Sequence, residues 1–257
     1  MPYAISQGVR IYYEVEGKGP PLVLAHGGSD SLDMWRRWGH TNALKDAFQL
    51  ILFDFRGHGR SDKPHEVFAY GTKMADDVVA ILDSLGITKA HYFGYSMGAT
   101  TGYTLATYHA ARFHSFILGG MTPYGWPEAM VKAVNIVIDG YKLLLTDPEA
   151  YILRMERLLG RSLTHEDRNE FMAGDTEARI AVLTSLLDGS ALTDQDLAGI
   201  LVPCLVFCGE LDPFHCGAEE SADHIPQARF LSLTGLNHIT AFLRSDLVLP
   251  YVKEFLA

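Results

Sequence analysis

Five short apolar runs recur along the chain, and four of the five end in or beside glycine: "LVLAHGG", "FQLILFDFRGHG", "AHYFGYS", "FHSFILGG" and "CLVFCGE". Nearly continuous apolar runs of this length suit strands covered on both faces, and that is the condition of strands in a parallel sheet. Helical patterns separate them. In "KMADDVVAILDSLG", Met74, Val78, Ile81, Leu82 and Leu85 fall on one stripe, with acidic residues early and Gly86 at the end. "MGATTGYTLATYHAARF" supplies another helix directly after an apolar run. Strand-helix alternation predicts an α/β fold with a mostly parallel, doubly wound sheet. At the start, "YAISQG" and "VRIYYEVEG" split at Gln7-Gly8 and predict an N-terminal antiparallel hairpin.

The alternation stops after "FILGG". From 122 to 200 the sequence reads as several helices with acidic, polar joints and no β-run between them. This is expected to be a helical cap inserted over the carboxyl edge of the sheet. The core would then comprise 1–121 and 201–257, with "VPCLVFCGE", "ARFLSLTG" and a last helix closing the chain.

Composition narrows the function. Of 257 residues, 21 are Lys or Arg and 31 are Asp or Glu, so the formal net charge is −10. No basic block is available to neutralise phosphates, which argues against nucleic acid as a partner. The three cysteines, Cys204, Cys208 and Cys216, are odd in number and crowded together, unlike a secreted disulfide framework. The N-terminus has no basic segment followed by an apolar one, and no apolar run is long enough to span a bilayer. A soluble cytoplasmic protein is the expectation, with its oligomeric state left open.

The chemistry is concentrated in "YFGYSMGATTG". An apolar strand, then Gly94-Tyr95-Ser96-Met97-Gly98, then a helix describes a sharp strand-to-helix turn. Such a turn strains the serine backbone, exposes its hydroxyl, and demands small residues two places before and after it. The new helix also aims its free N–H groups at the site, so the Met97 N–H can donate to an oxyanion.

The sequence resembles the α/β-hydrolase family over nearly its whole length, most weakly in the insertion. "AHGGSDSLDMW" resembles the family's His-Gly turn, "DFRGHGRSD" the loop after the next strand, and "GYSMG" the nucleophile elbow. "GELDPF" resembles the turn bearing the acid, and "GLNHITAF" the turn bearing the histidine. The resemblance implies Ser96 as nucleophile, Asp212 as acid and His238 as base, in the chain order this fold imposes. The residues agree with it: Asp212 and His238 each follow an apolar run, at the edge where sites form in open α/β sheets. The second oxyanion donor is expected at Gly28, with Gly27 making the turn. Tyr95, Tyr124 and Trp126 are the candidate substrate-binding residues; Tyr124 and Trp126 either line the cleft or pack the insertion against the sheet.

Each role has a rival. His215 lies just past Asp212 and is the alternative base; His26, His58 and His91 read as structural. Glu210, Glu219 and Glu220 are alternative acids, with Glu210 expected to brace its loop. "GGMTPYGW" carries no carboxylate before Glu128, which favours Asp212. Asp54 and Arg56 suggest a buried structural pair. Cys208, Asp212, His215 and Cys216 match no zinc spacing, so no metal or cofactor is expected. The expected activity is hydrolysis of small to medium carboxylic esters through an acyl-enzyme. Enol-lactone or acyl-homoserine lactone hydrolysis and C–C bond hydrolysis are alternatives, and a hydrolase-like ligand receptor is a non-enzymatic one. Serine at the nucleophile position argues against epoxide hydrolase and haloalkane dehalogenase chemistry, which need a carboxylate there.

Overall fold

The computed structural model describes residues 3–28, 30–172, 174–189 and 191–257. Eight strands form one sheet: β1 (Tyr3–Ser6), β2 (Val9–Gly17), β3 (Pro21–Ala25), β4 (Gln49–Phe53), β5 (Ala90–Tyr95), β6 (Phe113–Gly119), β7 (Cys204–Gly209) and β8 (Ala228–Leu233). Their spatial order is β1-β2-β4-β3-β5-β6-β7-β8. β1 pairs antiparallel with β2, and β2 with β4; every other pairing is parallel. The order reverses beside β3, and the ends of β3 and β5 therefore lie next to each other at the centre of the sheet.

The described residues form twelve α-helices. Four precede the insertion, α1 (Asp33–Arg37), α2 (His40–Leu44), α3 (Lys73–Ser84) and α4 (Met97–Tyr108), and α5 (Glu128–Thr146), after β6, opens it. α6 (Pro148–Leu159), α7 (His165–Met172), α8 (Thr176–Asp188) and α9 (Asp194–Ala198) complete the run between β6 and β7. α10 (His215–His224), α11 (His238–Leu243) and α12 (Ser245–Leu256) complete the chain. Among the described residues no helix is long and apolar enough to cross a membrane.

The period-2 alternation of each strand builds two cores. In β3, Val23 and Ala25 join a cluster with Ile51, Phe53, Tyr92 and the apolar stripe of α3. Leu22 and Leu24 join the opposite cluster with Leu50, Leu52, Phe93, Trp35 and Phe242. Runs that are apolar at every position are thus used on both faces, with about 1.5–3 kcal/mol available from each fully buried large side chain. Met74, Val78, Ile81 and Leu82 of the α3 stripe are all buried, and Leu85 packs at the margin.

Three local readings differ from the sequence expectation. Arg56 pairs with Asp77 of α3, its Nε donating over 2.7 Å to Oδ2, and not with Asp54. Asp54 instead accepts from the backbone N–H groups of Leu32 and Arg60, each at 2.8 Å. The turn at Gly57 and Gly59 sends Arg56 toward α3 and wraps the chain around Asp54, so two residues two positions apart in sequence serve different partners. The final helix is two, α11 and α12, because the backbone leaves the helical region at Arg244, with φ −85° and ψ 56°. α1 and α2 were not legible, being five residues each.

A polar contact ties the insertion to the loop after β4. Asp175 caps α8 by accepting from the Ala178 N–H at 3.0 Å, and its other oxygen lies 3.0 Å from His65 Nε2. His65 Nδ1 is 3.1 Å from Glu177. The hydrogen bond to Asp175 raises the His65 pKa above its ordinary value, helped by Glu177 and Glu66, while Lys63 faces Asp175 from the same loop. A histidine raised on folding stabilises fully below about pH 6.5, and that contribution is lost as pH rises through the raised value. The gap in urea midpoint between wild type and His65→Gln is therefore expected to be present near about pH 5.5 and closed by about pH 9. A gap that persists at the higher pH would show that the contact does not act through charge.

Candidate active site

Ser96 sits between β5 and α4 with φ 54° and ψ −116°, a left-handed backbone rare for a residue with a side chain. Its N–H donates to the Gly119 carbonyl of β6 at 2.8 Å, and its carbonyl accepts from the Thr100 N–H at 3.0 Å. The two flanking glycines are required by contact. A Cβ on Gly94 would overlap the Gly98 carbonyl, and a Cβ on Gly98 would overlap the Ala25 carbonyl of β3. The Tyr92 hydroxyl donates to that same Gly98 carbonyl at 2.7 Å.

The loops after β7 and β8 bring two more side chains to this turn. His238 Nε2 lies 3.1 Å from Ser96 Oγ, and His238 Nδ1 lies 2.8 Å from Asp212 Oδ2. Asp212 is buried, and its other oxygen accepts from the Phe214 N–H at 3.0 Å. The two loops are tied together: Leu211 N–H donates to the Leu236 carbonyl at 2.9 Å, and Glu210 accepts from the Gly235 N–H at 2.8 Å. Glu210 is thus the brace its position suggested. The His238 carbonyl accepts from the Tyr95 hydroxyl at 2.5 Å, so the residue before Ser96 holds the histidine's backbone.

The rival histidines go elsewhere. His215 Nε2 meets Ser232 Oγ at 2.8 Å and its ring packs on Phe230. His91 meets Ser115 Oγ at 2.7 Å within the sheet. His26 and His58 hold the loop after β3. His26 Nε2 accepts from the Phe55 N–H at 3.0 Å, so its Nδ1 carries the proton, which it donates to the Gly27 carbonyl at 2.7 Å. Complete burial, with His58 alongside, lowers the His26 pKa to about 3, which keeps that neutral tautomer. His58 Nε2 lies 3.0 Å from the Gly28 carbonyl.

Among the described residues, the N–H groups of Met97 and Gly28 have no hydrogen-bond acceptor. Met97 is the first residue of α4, where no intrahelical carbonyl reaches its N–H. Gly28 lies against the Met97 side chain, about 3.6 Å from Sδ by an added Cβ. Its N–H belongs to the trans peptide whose carbonyl is bound by His26, so it points away from that ring. The Gly27 N–H is already committed, to Met34 Sδ at 3.3 Å.

A cavity of about 340 Å³ contains Ser96 and His238. Tyr95 lines it, as do Met34 and Trp38 from the α1 side and Ile239, Phe242 and Leu243 from α11. Tyr124 and Trp126 are not among the residues that line it. The Tyr124 hydroxyl donates to Asp194 at 2.8 Å, joining the two ends of the insertion, and Trp126 packs edge-on against Phe214, 5.3 Å between ring centres. Asp194 lies at the far end of the insertion, whereas Phe214 belongs to the loop after β7 and meets the His238 ring, 5.9 Å between ring centres. The α1 wall was missed in the sequence because so short a helix shows no periodicity.

Residues 20–146 match the family of the alpha/beta hydrolase fold. The 3-oxoadipate enol-lactonase 1 of Acinetobacter baylyi is 27% identical over 219 residues, covering 80% of this chain and 77% of that protein. The solved enol-lactonase from Burkholderia xenovorans superposes with a TM-score of 0.77 at 27% identity, covering 99% of both chains. Est816, described as an N-acyl homoserine lactone degrading enzyme, gives 0.71 at 26% identity, covering 99% of this chain and 100% of that one. The eight-stranded sheet and these matches make the chain a member of the α/β-hydrolase family.

The packing at Gly98 is directly testable. Gly98→Ala must push α4 away from the Ala25 carbonyl or distort the turn, at an expected cost of about 1–3 kcal/mol. Chemical denaturation should show the unfolding free energy lowered by that amount, as a lower midpoint at an unchanged slope; an unchanged midpoint would mean β3 and α4 are not in fixed contact.

Proposed function

We propose that this protein is a serine hydrolase that cleaves carboxylic esters of small to medium acyl substrates through an acyl-enzyme. The observation that carries the reading is the hydrogen-bonded chain from Ser96 through His238 to Asp212, at 3.1 and 2.8 Å. A serine hydroxyl is a weak nucleophile until a neighbouring base takes its proton. His238 Nε2 is within reach to do so as Ser96 Oγ attacks the ester carbonyl. Asp212, bonded to Nδ1, selects the tautomer with Nε2 free and stabilises the imidazolium that forms. Gly28 and Met97 supply the N–H donors for the oxyanion, each such donor being worth about 3–4 kcal/mol in a comparable site. The intermediate collapses with the C–O bond to the alcohol breaking, and His238 returns its proton to that oxygen. Water then attacks the acyl-enzyme, with His238 as base, and releases the acid.

A lactone is an internal ester, and the same steps open it with the alcohol still tethered to the acyl group. Similarity to enol-lactonases and to an N-acyl homoserine lactone degrading enzyme supports this second reading. The helices between β6 and β7 serve in this scheme as a cap, spanning 122–200, over a core of 1–121 and 201–257.

The test pairs a fluorophosphonate probe with p-nitrophenyl esters of rising chain length. A single adduct on Ser96 is expected, with ester turnover falling by about 10⁴-fold or more in Ser96→Ala. No adduct and no turnover in wild type would reject the reading. Turnover should also fall in acid, because protonated His238 cannot accept the serine proton; a rate independent of pH there would remove His238 from the role of base.

A further inference from the structure

The walls of the Ser96 cavity are apolar except at one place. Besides Ser96 and His238, the charged or ionisable side chains lining it among the described residues are Asp30, Arg37 and the buried phenol of Tyr95, whose hydroxyl is already bound to His238. Asp30 and Arg37 form a pair by a single contact, Arg37 Nη1 to Asp30 Oδ2 at 3.2 Å. Their hydrogen-bonding capacities are unequal. Asp30 uses its second oxygen to accept the Ser31 N–H at 2.8 Å, so both of its oxygens are engaged. The Arg37 guanidinium makes no other hydrogen bond among the described residues, which leaves Nε and Nη2 open. That edge of a guanidinium matches a carboxylate bidentately.

The distance from the reacting centre is set by α1. Met34 Sδ takes the N–H of Gly27, whose own position is beside Ser96. Arg37 follows Met34 by three residues on the same helix, about 4.5 Å further along its axis. Met34 and Arg37, nearly one helical turn apart on α1, thus both line the cavity that contains Ser96.

We propose that Arg37 selects substrates that carry a carboxylate a few atoms from the scissile ester or lactone carbonyl. This rests on the reading of Ser96 as the nucleophile. The substrate carboxylate binds the open edge of Arg37, Asp30 holds the guanidinium from the other side, and Trp38, Met34 and Phe242 cover the methylene chain between the two carboxyl groups. A dicarboxylic half-ester or a carboxyl-bearing lactone has this form. With the whole chain at a net charge of −10, an anionic substrate gains nothing from long-range attraction, so its selection falls to this local cation.

The experiment compares monomethyl glutarate with dimethyl glutarate, which differ in charge and little in size. Wild type is expected to prefer the half-ester in kcat/KM, with a preference that shrinks as ionic strength rises. Arg37→Met should lower kcat/KM for the half-ester about tenfold more than for the diester. Asp30→Asn, which releases Arg37 from its partner, should increase the preference. Binding of glutarate to Ser96→Ala by calorimetry reads the same subsite without turnover, and the double variant with Arg37→Met should bind it about tenfold more weakly. Equal selectivity in wild type and Arg37→Met, or glutarate binding indifferent to Arg37, would overturn the proposal and reduce the pair to a surface contact. Failure of the probe to label Ser96 would instead overturn the nucleophile assignment, and the glutarate titration would still decide whether Arg37 forms an anion subsite.

Discussion

Ser96 keeps its left-handed backbone because three chain segments meet at residues 94–98 with no room for a side chain on either flanking glycine. Gly98 lies on the Ala25 carbonyl of β3, Gly94 lies on Gly98, and the Ser96 N–H is held by Gly119 of β6. Central strands on both sides therefore grip the turn. The cost of an unfavourable φ is carried by this packing, in the way strained residues persist only where their surroundings over-determine them. Everything else at the site is measured from this point: the hydroxyl projects toward His238, and α4 starts with its open N–H groups at the same place.

The neighbouring loops are held almost as firmly, each by a different polar device. Behind β3, a neutral His26 takes the Phe55 N–H and gives a proton to Gly27, while His58 and Asp54 hold Gly28 and Leu32. Across the sheet, the Leu211–Leu236 and Glu210–Gly235 bonds join the loops that carry Asp212 and His238. The two histidines thus differ in place: the buried His26 positions backbone, and the partly exposed His238 faces the cavity. Burial explains the division, since an imidazole that cannot gain a proton is suited to holding a loop and unsuited to moving protons.

The helices between β6 and β7 are organised differently. Leu144, Tyr151, Ile152 and Leu163 form their own apolar cluster, while Ala181, Val182 and Leu197 join the main core. Their links to the rest are partly polar, through His65 and Asp175, and at their root through Tyr124 and Asp194. The cavity at Ser96 takes much of its wall from α1 and α11, so the short helices flanking the Gly27-Gly28 turn and the His238 loop have more influence on its shape than their length suggests.

Much of this was legible from residue order. The buried strands showed in their unbroken apolar runs, the helix α3 in its stripe, and the elbow in Gly94-Tyr95-Ser96-Met97-Gly98, because steric demands at a sharp turn restrict residue type position by position. The family resemblance singled out Asp212 and His238 from their rivals, and these are the two side chains that meet beside Ser96. Sequence could not say that Arg56 reaches Asp77 and leaves Asp54 to the backbone, since the partners are chosen by how a loop turns in space. It could not show that Tyr124 meets Asp194 and Trp126 meets Phe214, or that Arg37 stands in the cavity. Those facts depend on distances between segments far apart in the chain. Local sterics and periodicity are written along the sequence, whereas the company a polar side chain keeps is decided only when the sheet and its loops have closed around it.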